Sequence, residues 1–154
     1  MNKKQYWTRF TIIVALCGVV TTLEQKVAWS LTESIDAKIL WQADGPINKD
    51  DYVRFYLSHP YLKDGKSSYP LNKRVACVTG DILKTVERDL YCNGEKIATA
   101  LTHTSGGKPL DPFQWNGPIP DGKVFLLGDH VESFDSRYWG FRDVDELQRL
   151  VKLI

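Results

Sequence analysis

Neither sign of charge prevails in this chain: 20 Lys and Arg stand against 19 Asp and Glu. No basic stripe with interleaved aromatics is present, so a nucleic-acid partner is not expected. Metal-ligating residues are scarce as well. The three histidines, His59, His103 and His130, are far apart, and no two of the three cysteines have the C-x-x-C spacing of a zinc or redox site. No metal or other cofactor is therefore expected. Internal repeats and low-complexity linkers are also missing, and 154 residues suffice for one core but not for two independent ones. Nor is there an apolar run of the roughly 17–25 residues that a spanning helix wants. The run from Phe10 to Leu23, "FTIIVALCGVVTTL", has only 14.

What surrounds that run is a membrane signal nonetheless. Lys3, Lys4 and Arg9 precede it and Glu24 and Lys26 close it, while Tyr6 and Trp7 suit an interface and Arg9 can snorkel. The positive-inside bias keeps the N-terminus cytoplasmic and sends residues after about 30 across the membrane. We therefore expect residues 1–30 to be a cytoplasmic N-terminus and retained single-pass anchor in the inner membrane, in contact with its lipid, and residues 31–154 to be a periplasmic domain. The alternative is a signal peptide cut after Ala28-Trp29-Ser30. Cys77 and Cys92 fall in the exported part, where they are either a disulfide or two buried thiols.

Beyond the anchor, short runs rich in β-branched and aromatic residues alternate with Gly, Pro, Asn and Asp. The expected strands are 39–42, 52–57, 73–78, 82–87, 90–92, 96–100 and 123–127. Asn93-Gly94 is the strongest hairpin signal, because both central positions of a type I′ turn need positive φ. The fold class is thus mainly β, with an antiparallel domain. Val144, Leu147, Leu150 and Val151 fall on one helical face behind Asp143 or Asp145, which predicts a short C-terminal helix.

Hydrolysis needs a nucleophile with a base beside it. Asp129-His130 invites a Ser-His-Asp reading, but adjacent strand residues point to opposite faces, which counts against it. A lysine serves as base when burial disfavours its ammonium form. Lys73, in Leu71-Asn72-Lys73-Arg74-Val75-Ala76, enters an apolar strand and is the best candidate; its plain alternative is a strand-end charge reaching solvent.

The blocks "LTESIDAKILW" (31–41), "INKDDYVRFYL" (47–57), "NKRVACVTGD" (72–81), "LYCNGEKI" (90–97) and "GPIPDGKVFLLGDHVESFDSRYWGF" (117–141) stand in the order of the serine–lysine signal peptidase superfamily, which the chain resembles from about Thr32 to Gly140. The most specific is Gly-Asp followed by Ser-x-Asp-Ser-Arg-Tyr-Trp-Gly. The small size, the approach "GGKPLDPFQWNGPIPDG" (106–122) and the single N-terminal anchor look most like the TraF-type conjugal-transfer peptidases. That resemblance implies a signal-peptidase-like β domain and a serine endopeptidase that matures a conjugative pilin precursor, with or without cyclisation. Its partners would be the pilin precursor or another exported protein, and other conjugative transfer proteins. By position, Ser34 matches the nucleophile, Lys73 the general base and Ser133 the hydroxyl that orients the lysine. Asp135 and Arg137 match the pair that braces the site. Thr32, with the N–H of Ser34, matches the oxyanion donors. Ile35, Asp36 and Ala37 follow the nucleophile, where the family shapes its substrate pockets. There the chain departs from the TraF-type pattern: Asp36 stands in place of a proline and Lys38 in place of a glycine. A non-catalytic pilin-binding assembly factor and a small general signal peptidase remain as alternatives.

Overall fold

A computed structural model describes residues 3, 5, 7, 9–14, 27–29, 35–62 and 65–153. The strands are β1 (Val27–Trp29), β2 (Ile39–Gln42), β3 (Tyr52–Leu57), β4 (Tyr69–Cys77), β5 (Ile82–Val86), β6 (Asp89–Cys92), β7 (Glu95–Thr99), β8 (Asn116–Pro118), β9 (Lys123–Leu127), β10 (Arg142–Asp143) and β11 (Gln148–Lys152). They form a seven-stranded sheet in the order β1-β2-β11-β3-β4-β9-β10 and a four-stranded sheet in the order β7-β6-β5-β8. Every pairing is antiparallel. Residues 9–14 are helical, and among the described residues no helix is long and apolar enough to cross a membrane. The other residues of the expected N-terminus and anchor, 1, 2, 4, 6, 8, 15–26 and 30, lie outside the described residues.

Period-2 patterning explains which faces are buried. In β3, Val53, Phe55 and Leu57 point inward while Tyr52, Arg54 and Tyr56 do not. Strand β9 reads as a continuous apolar run because both its faces are covered. Val124 and Leu126 pack with Val53, Phe55 and Val75, whereas Phe125 and Leu127 pack with Leu83, Leu90 and Ile119. The β9 strand is thus the seam between two cores. The Asn93-Gly94 turn is as expected: φ is +51° and +85°, and Cys92 pairs with Glu95 across it.

The C-terminal helix is a correction. Only Val144–Glu146 is helical, as one 3-10 turn, and residues 148–152 form β11 between β2 and β3. Leu150, 2% exposed, sits opposite Gln42 on one side and Tyr52 on the other. A helix here would leave two sheet edges unpaired, and that tertiary demand overrides a short and ambiguous local pattern. Of the two expected caps, Asp143 stands at the N-cap of that turn but makes no capping hydrogen bond and pairs with Lys123 at 2.7 Å, and Asp145 lies inside the turn. Three strands, β1, β8 and β10, fall where none was expected, and β1 lies within the stretch assigned to the anchor.

Cys77 of β4 and Cys92 of β6 form a disulfide with Cα atoms 6.3 Å apart, joining the two sheets. Closing a loop of this size stabilises the domain by about 3 kcal/mol on the chain-entropy estimate. The protein isolated without reductant is expected to weigh two hydrogens less than the reduced chain; two freely alkylated thiols at Cys77 and Cys92 would contradict the bond.

Candidate active site

Strand β4 carries Lys73 directly opposite the fully buried Val53 of β3 and on the same face as Val75. The side chain is therefore enclosed, with the residue only 2% exposed. Burial pushes its pKa down to about 8, because the ammonium loses its hydration. The negative charges of Asp135 and Asp129 oppose that shift, and the Arg137 charge supports it. Lys73 Nζ lies 2.7 Å from Ser133 Oγ, which is itself buried. The plain reading of Lys73 as a strand-end charge in solvent does not hold.

Ser133 owes its place to the pair beneath it. Asp135 and Arg137 are 0% and 3% exposed, and their side chains meet in a bidentate contact of 2.8 and 2.7 Å. Asp135 also accepts the backbone N–H groups of Gly128 and Arg137, so its carboxylate ties the end of β9 to the helical turn Ser136–Trp139 that it caps. Arg137 donates onward to the carbonyls of Ser133 at 3.0 Å and Val131 at 2.8 Å. The guanidinium thus clamps the loop that presents Ser133 to Lys73. Burial works against the Arg137 charge, but its hydrogen bonds and ion pair with Asp135 outweigh that and raise its pKa. Aromatic rings close over this polar centre, with Phe134 stacked on Tyr138. Gly140 ends the signature because a Cβ there would stand 2.7 Å from the Phe113 ring, at a φ of +78° that side chains rarely adopt.

Ser34 and Thr32 lie outside the described residues. Ile35, Asp36 and Ala37 are described: Ile35 and Ala37 are buried against Leu40 and Leu150, and Asp36 is exposed. The His130 imidazole is exposed, and its Nδ1 accepts the Glu132 N–H at 3.2 Å. Two functional candidates escaped the sequence reading. Ser136, fully buried, accepts the Leu126 N–H at 2.9 Å and fastens the helical turn to β9. Asp129, considered only as a partner for His130, instead accepts from Arg74, Tyr52 and the Asp36 N–H. The Gly-Asp of the signature was the available signal for it.

Among the described residues, Cys77, Asp81 and Cys92 bring ligand-type atoms within 4.8 Å of one another. The disulfide commits both sulfurs, and Asp81 already accepts from the Val78 N–H and Asn93. That grouping does not suit a metal ion.

A desolvated lysine held by a buried serine, above a buried Asp–Arg pair, is an arrangement for general-base chemistry. Comparisons of the sequence agree on the class. The sequence profile of the family described as signal peptidase, peptidase S26, matches residues 4–154. Signal peptidase I V of Bacillus subtilis (strain 168) is 27% identical over 157 residues, covering 90% of each chain. A crystal structure of a signal peptidase I from Enterococcus faecalis V583 superposes with a TM-score of 0.47 at 20% identity, over 71% of this chain and 100% of that one. The chain belongs to the signal peptidase family, peptidase S26, and is a serine endopeptidase.

Proposed function

We propose that this chain cleaves exported precursors with a Ser34–Lys73 dyad, Ser133 orienting the lysine and Thr32 joining the Ser34 N–H in holding the oxyanion. The observation that carries this reading is the buried Lys73 amine 2.7 Å from Ser133 Oγ. A neutral Lys73 takes the Ser34 proton as Ser34 attacks the scissile carbonyl. The lysine then returns that proton to the leaving amine, and water activated by the same amine hydrolyses the acyl-enzyme. Of the three residues after Ser34 expected to border the substrate, Asp36 is exposed and free to do so, while Ile35 and Ala37 are packed against Leu40 and Leu150.

The finer proposal is that the precursor is a conjugative pilin. Its support is the resemblance to TraF-type peptidases, in the block at 106–122 and in the small size. A second reading, a small general signal peptidase, is favoured by the Bacillus relative, whose name is signal peptidase I V. Incubating the full-length protein in detergent with a candidate prepilin and with an ordinary secretory precursor separates the two. Pilin cleavage alone supports the finer proposal, cleavage of the secretory precursor supports the second reading, and cleavage of neither rules out both substrates.

The proposal includes a retained anchor that holds the domain at the periplasmic face of the inner membrane. Its support is the cationic flank of the apolar run together with the exposed apolar side chains of Phe10, Ile12, Ile13 and Val14 on the N-terminal helical residues. An extended chain of the 11 residues from Leu23 to Ser34 spans at most about 35–40 Å. The nucleophile therefore works near the lipid surface, where a tether raises the effective concentration of a membrane-borne substrate. The intact mass from the membrane fraction is expected to include residues 1–30, and alkaline carbonate is expected not to extract the protein. A soluble form beginning at Leu31 would show cleavage after Ser30 instead.

A further inference from the structure

The residues that follow Ser34 are held by a cluster that the mechanism above does not use. Ile35 and Ala37 turn inward, each 5% exposed, and the N–H of Asp36 between them donates to Asp129 Oδ2 at 2.8 Å. Asp129 is fixed from two further directions: Tyr52 Oη donates to the same oxygen at 3.1 Å, and Arg74 Nε donates to Oδ1 at 3.0 Å. Arg74 is braced in turn by Asp50 at 2.8 Å. Burial alone would raise the Asp129 pKa, but these hydrogen bonds overcome it and hold the carboxyl below the usual range. Tyr52 is pushed up to about 12 by its burial and by the Asp129 charge, so it remains a neutral donor.

The cluster is wired into both halves of the site. Arg74 is the neighbour of Lys73 on β4. Asp129 follows Gly128, whose N–H is held by Asp135. The Asp36 N–H is also a donor that the TraF-type pattern, with proline at this position, lacks. The Asp36 carboxylate is a different matter. It meets Lys152 at 3.2 Å in an ion pair whose side chains are 91% and 41% exposed, which contributes little.

Resting on the Ser34–Lys73 reading, we propose that Asp129 is a positioning residue: clamped by Arg74 and Tyr52, it accepts the Asp36 N–H and so fixes the segment carrying the nucleophile against Lys73. Misplacement of a reacting group by about 1 Å costs on the order of 100-fold in rate. Misalignment of the nucleophile slows the chemical step itself, so loss of the contact is expected to act on kcat more than on KM.

The test uses full-length protein in detergent and a peptide spanning the cleavage site of a precursor that the wild type cuts. Asp36→Pro removes the N–H without touching Asp129, Arg74 or Tyr52, and gives a readout where Asp129→Ala fails to fold; because proline also restricts Ile35, the double variant separates the lost contact from that restriction. We expect Asp36→Pro and Asp129→Ala each to lower kcat by about 10- to 100-fold. The double variant should be no worse than the weaker single, since both remove one contact. Lys152→Ala should keep the wild-type kcat. A wild-type kcat in Asp36→Pro, losses that multiply in the double variant, or a Lys152→Ala loss as large as that of Asp36→Pro would each overturn the proposal. Ser34→Ala is assayed alongside. If it still cleaves, the dyad reading falls and the positioning role with it; if it is inactive while Asp36→Pro keeps its kcat, the positioning role alone falls.

Discussion

Lys73→Ala is expected to lower kcat/KM by about 10³–10⁴-fold, and Ser34→Ala and the double variant by nearly the same amount, because nucleophile and base act as one unit. The enclosure of Lys73 gives this prediction its sharpness. Lys73 lies opposite Val53 and beside Val75 and is 2% exposed, so its removal leaves an apolar enclosure with no other base in place among the described residues. A Lys73→Met variant adds a second, opposite readout. Folding holds this lysine at a pKa of about 8, below the roughly 10.4 of an unfolded lysine. Between those values the unfolded chain binds more protons than the folded one, so stability rises with pH across that window, and below about pH 8 the burial cost is felt in full. Lys73→Met at pH 7 is therefore expected to be inactive and to melt at a higher temperature than the wild type. A catalytic lysine that destabilises its own fold gives this pairing; a structural one gives an active or a destabilised variant.

The second large effect concerns the floor of the site. Removing one partner of a buried ion pair leaves the other charge without compensation, at a cost of about 3–5 kcal/mol. Asp135→Ala strands the Arg137 guanidinium, which is within the protein and not in solvent. It also frees the Gly128 N–H and removes the cap of the turn at Ser136. Urea denaturation is expected to show a loss of this size with the slope of the transition unchanged. Ser133→Ala, by contrast, removes one orienting contact, and is expected to stay folded and to lose less activity than Ser34→Ala. An Asp135→Ala domain as stable as the wild type would mean that the pair does not support the Ser133 loop.

Much of this was legible in the sequence, and the reason differs from place to place. The strands at 39–42, 52–57 and 123–127 were expected with the bounds they have, because their alternating or continuous apolar patterns coincide with burial on one face or on two. The Asn93-Gly94 turn was legible because its positive φ values have few other solutions. Strand β11 was not, since Val144, Leu147, Leu150 and Val151 together fit a helix locally and only the open edges of β2 and β3 decide against it. At the site, the pairing of Asp135 with Arg137 and of Lys73 with Ser133 followed from motif positions, and the structure places both pairs in contact. Asp129 was misjudged because its partners come from residues 36, 52 and 74, and no local pattern brings those together. Ser136 was missed for a related reason: a hydroxyl inside a signature reads as part of the motif, and its bond to the Leu126 N–H depends on β9 lying beneath the turn.

The pH dependence of kcat/KM tests most directly whether a neutral, buried Lys73 is the base. For the free enzyme the account predicts an ascending limb governed by one group with a midpoint of about 8, set by the burial of Lys73. His130→Gln should leave that limb in place, since the imidazole is exposed and already engaged with the Glu132 N–H. A profile flat between about pH 6 and 9, or a limb abolished by His130→Gln while Lys73→Ala still cleaves, would contradict it.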